Sequence, residues 1–151
     1  MKNNKKYIFL DFDGVVNDKS FIRESGFPYL CIDGKRLLLI QKIVKQTNAY
    51  IILSTYHRVL LEPPTKYGKY IWETFSKFNL HIADVTPVIH DDRNREITMY
   101  CKENNIKSFV ILDDTDYNWS DINRAHFIKV LDGITEENVD DAIDILNGEE
   151  V

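Results

Sequence analysis

Apolar positions along this chain fall into two rhythms. Short runs rich in branched and aromatic residues, over 7–10, 49–53, 81–85, 107–112 and 126–131, have the length and density of buried strands. Between them the apolar residues recur every three or four positions. Leu37, Ile40 and Val44 line one face of a helix predicted over 34–47, with Asp33 placed to cap it. Ile71, Trp72, Phe75 and Phe78 give a stronger stripe over 69–78. A third helix is predicted to start near Arg93, capped by Asp92, and to run to about Asn104. Val139, Ala142, Ile143 and Leu146 mark a closing helix, with Thr135 as its cap and Gly148 past its end. The stretch 19–33 has no sustained period and contains Gly26 and Pro28, so it reads as a loop or small flap. Pro63-Pro64 interrupts regular structure again. The resulting order of elements predicts an α/β fold: a mainly parallel, five-stranded sheet with helices on both faces, in three layers.

Polar residues at the ends of the strands carry the candidate chemistry. The first run stops abruptly in Asp11-Phe12-Asp13-Gly14, where residues two apart on a strand share a face and a glycine permits a sharp turn. Two carboxylates held that close repel each other unless a cation or a shared proton lies between them. A hard divalent ion such as Mg²⁺ is the simplest resolution. The second run ends in Ser54-Thr55-Tyr56-His57-Arg58, and the fourth in Asp113-Asp114-Thr115-Asp116. In a parallel sheet these ends lie on one edge, so they are expected to converge. Arg93 or Arg95, at the start of the helix feeding the fourth strand, would add positive charge. Carboxylates, a hydroxyl and an arginine together suit a phosphoryl group, whose oxygens need several donor or cationic partners. Arg58 either reaches a second phosphate or pairs with a loop carboxylate.

Composition narrows the reading further. At 151 residues and 44% hydrophobic, one domain spanning 1–151 is expected. A net charge of -5 argues against a protein that holds nucleic acid by blanket phosphate neutralisation. Cys31 and Cys101 lie far apart, and the four histidines form no zinc spacing. No apolar run approaches the roughly 20 residues of a membrane span, and the first residues lack a secretory core. A cytoplasmic, monomeric protein is the expectation.

The order of these pieces resembles that of the haloacid dehalogenase (HAD) superfamily over nearly the whole chain. Asp11-Phe12-Asp13-Gly14-Val15 is similar to its first motif and Ser54 after Ile51-Ile52-Leu53 to its second. A basic residue near Arg93 stands for the third, and Val110-Ile111-Leu112-Asp113-Asp114 for the fourth. More narrowly, Leu53 to Arg58, Thr86-Pro87 and Arg93-Asn94-Arg95-Glu96-Ile97 look like the compact HAD domain of Swiss-army-knife RNA-repair proteins. His57 and Asn94 depart from the tryptophan and glycine frequent at those positions.

The resemblance implies a Mg²⁺-dependent phosphohydrolase that works through an aspartyl-phosphate. Asp11 would be the nucleophile and Asp13 the general acid and base, with a raised pKa expected for Asp13. The metal would sit on Asp11, the Asp13 backbone carbonyl, and one or both of Asp113 and Asp114. Ser54, with help from Thr55, would donate to a phosphoryl oxygen. Arg93 would balance charge, Arg95 being the second choice. The gap between the first and second motifs holds a loop and one helix rather than a large cap. An open site follows, suited to phosphate on an RNA or DNA end or a nucleotide. The rival readings are a response-regulator-like module and a catalytically silent relative that only binds phosphate or metal.

Overall fold

The computed structural model describes residues 3–25, 32–61 and 65–148. Five strands, β1 (Lys6–Leu10), β2 (Tyr50–Leu53), β3 (Ile82–Val85), β4 (Ser108–Asp113) and β5 (Phe127–Lys129), pair in the order β3-β2-β1-β4-β5. Every pairing is parallel. The helices are α1 (Lys19–Ser25), α2 (Gly34–Thr47), α3 (Lys66–Lys77), α4 (Arg93–Glu103), α5 (Asp121–Arg124) and α6 (Glu136–Leu146). A 3₁₀ helix spans Tyr56–Leu61.

Period-two alternation along the strands makes two cores from one sheet. Ile8, Leu10, Ile51, Leu53, Val110 and Leu112 face one side, against Ile40 of α2, Phe75 of α3 and Ala142 of α6. Tyr7, Phe9, Ile52, Phe109 and Ile111 face the other, where Ile97 and Tyr100 of α4 cover them with Trp119. Layers on both faces are what continuous apolar strands require.

Local signals set most helix boundaries. The Asp33 side chain accepts from Lys35 N and starts α2, and Asn48, in a left-handed conformation with φ 59, stops it. The Asp92 side chain accepts from Arg95 N and starts α4. Thr135 and Asn138 form a reciprocal capping box on α6.

Three departures from the sequence reading have physical causes. The segment expected to be a loop from residue 19 begins with α1, which buries none of its residues and so shows no apolar stripe. Asp18 accepts from Phe21 N at 2.7 Å and opens that helix, while Arg36 pins the same carboxylate at 2.7 Å. Helix α3 starts at Lys66, earlier than its stripe, because Thr65 accepts from Gly68 N. The residues after Ser54-Thr55, given no element from sequence, coil into the 3₁₀ helix. Gly26, Pro28, Cys31, Pro63 and Pro64, used above, lie outside the described residues. Among the described residues, no helix is long and apolar enough to cross a membrane.

The sheet order positions the site. The chain builds outward from β1 to β2 and β3, then returns to β4 on the other side of β1, so the order reverses between β1 and β4. Ligands of open α/β sheets bind beyond the strand ends at such a reversal. Leu10 is in register with both Leu53 and Leu112, which brings the residues that follow them to one level.

Candidate functional site

Beyond that level the ladder continues for one more step. Asp11 N donates to Leu112 O and Ser54 N to Leu10 O, each at 3.1 Å, so the backbone fixes where both side chains emerge. Asp11, Asp113 and Asp114 each bring a carboxylate oxygen within 4.8 Å of the others. Asp11 and Asp113 are buried and Asp114 is exposed. Gly14, with φ +80, closes the turn over them, where a Cβ would collide with the Asp114 carboxylate.

The electrostatics of this cluster are those of anions short of cations. Burial first, then repulsion from Asp113 and Asp114, pushes the Asp11 carboxyl far above its ordinary range against the pull of Arg93. Burial also raises Asp113, again with Arg93 opposing. Arg93 Nη1 lies 2.7 Å from Asp113 Oδ2 and 3.5 Å from Asp11 Oδ1. Burial works against the Arg93 charge, but Asp11 and Asp113 outweigh it and hold the guanidinium protonated. Among the described residues Arg93 pairs with two of the three carboxylates, and a hard divalent ion fits the all-oxygen donor set.

Ser54 is fully buried, and its hydroxyl is one of two buried side-chain polar atoms without a hydrogen-bond partner among the described residues. Buried hydroxyls are nearly always bonded, so an orphan at a strand end beside carboxylates marks a place for a ligand atom. Thr55 is also buried, and its hydroxyl accepts from His57 N at 3.3 Å. Arg93 rather than Arg95 reaches the cluster. Helical geometry turns Arg95 outward, where it is exposed.

Asp13 departs from the expectation of a raised pKa. Its side chain is half exposed, and the hydrogen bond to His57, Nε2 to Oδ2 at 3.3 Å, is the first cause of a carboxyl held below its ordinary range. Asn17 Nδ2 donates to the other oxygen at 3.3 Å and also lowers it. Burial opposes these effects without overcoming them. The Asp13 carboxylate is not among the three acids of the cluster. His57 is itself seated by stacking on Phe12, with ring centres 5.7 Å apart.

Arg58 is spent inside the protein and does not reach for a second phosphate. It is 4% exposed. Its Nε donates to Thr86 O, Nη1 to Ser54 O and Thr55 O, and Nη2 to Pro87 O and Glu96 Oε2. The guanidinium therefore ties the loops after β2 and β3 to α4. Glu96 completes the link: its Oε2 also accepts from Ile89 N at 2.8 Å, and its Oε1 lies 3.9 Å from Arg93 Nε. Glu96 and His57 were not singled out as site residues from sequence, although Glu96 stands one helical turn after Arg93. Asp116 pairs with Arg124 at 3.2 Å on the surface, away from the cluster chemistry.

Comparison with protein families gives a match over residues 7–139 to the family described as HAD domain in Swiss Army Knife RNA repair proteins. The chain belongs to this family. The match runs from within β1 into α6 and so takes in β2 to β5 whole and each acid of the cluster. Searches of curated proteins and of solved structures return no match. The all-parallel sheet and the three-carboxylate cluster are those of a HAD domain with oxygen donors able to take a metal ion.

Proposed function

We propose that this HAD domain is a Mg²⁺-dependent phosphomonoesterase that works through an aspartyl-phosphate on Asp11 and acts on phosphate at RNA or DNA ends or on nucleotides. The observation that carries this reading is the convergence of Asp11, Asp113, Asp114 and Arg93 beside the unpartnered, fully buried Ser54 hydroxyl. The family description, with its RNA-repair context, supports the class of substrate.

Asp11, Asp113 and Asp114 are the residues to hold the metal, with the Asp13 carbonyl beside them. When bound, Mg²⁺ offsets the repulsion among the carboxylates and the charge of the phosphoryl oxygens. An Asp11 oxygen then attacks phosphorus, forming the O–P bond as the bond to the leaving oxygen breaks. Asp13 delivers a proton to that oxygen; its carboxyl, held ionised in the free protein by the hydrogen bond from His57, takes up that proton when the negative phosphoryl group binds beside it. In the second half, water attacks the phosphorus, Asp13 takes its proton, and Asp11 is released. Ser54 donates to a phosphoryl oxygen, Thr55 lines the same strand end, and Arg93 faces the developing charge. Arg58 holds the Ser54-Thr55 carbonyls in place from behind.

A phosphate-release screen with Mg²⁺ over 3′- and 5′-phosphorylated oligonucleotides, nucleotides and sugar phosphates tests the reading, with Asp11→Asn as blank. Release from oligonucleotide ends or nucleotides that disappears in the variant is the expected result. Efficient turnover of sugar phosphates with none at oligonucleotide ends would overturn the substrate class.

A further inference from the structure

Two tyrosine rings at the mouth of the site have no part in the phosphoryl chemistry. Tyr56 opens the 3₁₀ helix directly after Ser54 and Thr55, and it is 54% exposed despite its size. The Arg93 guanidinium lies 5.7 Å from the centre of the Tyr56 ring and 5.0 Å from that of half-buried Tyr117. That same guanidinium reaches Asp11 and Asp113, so both rings border the place of the reacting phosphate. Asp91, on the turn before α4, interacts with the Tyr56 hydroxyl and anchors that edge of the ring.

Charge decides what such rings would do for a nucleic-acid end. The protein carries a net charge of -5, Arg93 is engaged by the carboxylates, and all the Arg58 donors go to protein acceptors. Attraction to a phosphate backbone is therefore a poor source of affinity. Stacking of a base on an aromatic ring needs no net charge and tolerates any base, at about 1–3 kcal/mol per base.

Building on the phosphatase reading, we infer that Tyr56, with Tyr117 beside it, is the stacking platform for the base of the nucleotide that carries the phosphate. The site thereby selects a base-bearing terminal nucleotide over a bare sugar or alkyl phosphate. The sequence offers no register for this role, since Tyr56 and Tyr117 are far apart in the chain and are brought together around Arg93.

The test is a binding titration of Asp11→Asn protein with Mg²⁺ and short oligonucleotides labelled at the far end. They carry a 3′- or a 5′-phosphate and a terminal nucleotide that is either intact or abasic. For one of the two phosphate positions, removing the base weakens binding on the order of tenfold. Adding Tyr56→Ala brings the intact ligand to the abasic level and leaves the abasic ligand unchanged, while Tyr56→Phe keeps the preference. Tyr56→Leu, which keeps bulk but cannot stack, gives the same loss and serves if the alanine variant fails to fold. Equal binding of intact and abasic ends overturns the inference. So does a Tyr56→Ala loss shared by both ligands, because the ring would then only steady Arg93. Wild-type protein that binds an end through Tyr56 and releases no phosphate sinks the reaction and spares the platform. Release indifferent to the terminal base does the reverse.

Discussion

Ser54 and Asp11 sit on neighbouring strand ends with opposite unmet needs: one is a buried donor without an acceptor, the other a buried anion without enough cation. Replacing Ser54 by alanine removes a hydroxyl that the fold does not use. An orphaned buried polar group costs about 1–3 kcal/mol, so Ser54→Ala is expected to keep or slightly raise Tm. Its rate of phosphate release falls on the order of 10²- to 10³-fold, as for other lost oxyanion donors. A variant that melts early, or that turns over normally, contradicts the assignment.

The acids make a second prediction at this scale. In the folded, metal-free protein the carboxyls of Asp11 and Asp113 are raised above the ordinary value of about 4 that they have when unfolded. The native state therefore binds more protons than the unfolded state above that pH, and stability must fall as pH rises. Asp13 is shifted down, so its contribution is lost only on acidification below the ordinary carboxylate range. In chelator, Tm is expected to drop from about pH 5 towards neutrality. Saturating Mg²⁺ flattens the slope because it binds only the native state. Asp11→Asn flattens it without metal. A Tm that rises with pH in chelator contradicts this electrostatic account.

Among the elements, the link between the loops and α4 has the most at stake. Arg58 and Glu96 form a buried pair at 2.8 Å, and Glu96 also holds Ile89 N and stands beside Arg93. Breaking one side of such a pair leaves a buried charge and costs about 3–5 kcal/mol. Arg58→Ala is expected to lose that much in chemical denaturation and to lose activity by displacing Arg93. A variant with normal stability that has lost only affinity for substrate would return Arg58 to a direct phosphate contact.

How legible these elements were depended on whether their determinants are local. Helix α2 was read to its end residues because an aspartate cap and an apolar stripe lie within the helix's own sequence. Helix α1 was missed because nothing in it is buried. The role of Arg58 was left open because four of its acceptors are backbone carbonyls, which carry no residue signature, on loops brought together only by the sheet. The Asp13 shift was misread for a similar reason. Its direction depends on His57, distant in sequence and seated by a ring of the first motif.

For the whole molecule, a sheet order that reverses beside β1 brings the strand ends carrying Asp11, Ser54 and Asp113-Asp114 to one edge. The acids of the first and fourth strand ends could be foreseen to meet, because parallel strands put their carboxyl ends on one edge. Which arginine would face them could not, since that depends on the rotation of α4 on the sheet. The net charge of -5 predicts that affinity for a phosphorylated oligonucleotide changes little with salt. A steep salt dependence in a binding titration would point instead to an extended basic track.

Acid quench during turnover of a substrate carrying radiolabelled phosphate tests the central claim most directly. The account predicts label bound covalently to the protein at Asp11, requiring a divalent ion and absent from Asp11→Asn. Turnover in which no label is ever trapped on the chain, or label that persists in Asp11→Asn, would contradict it.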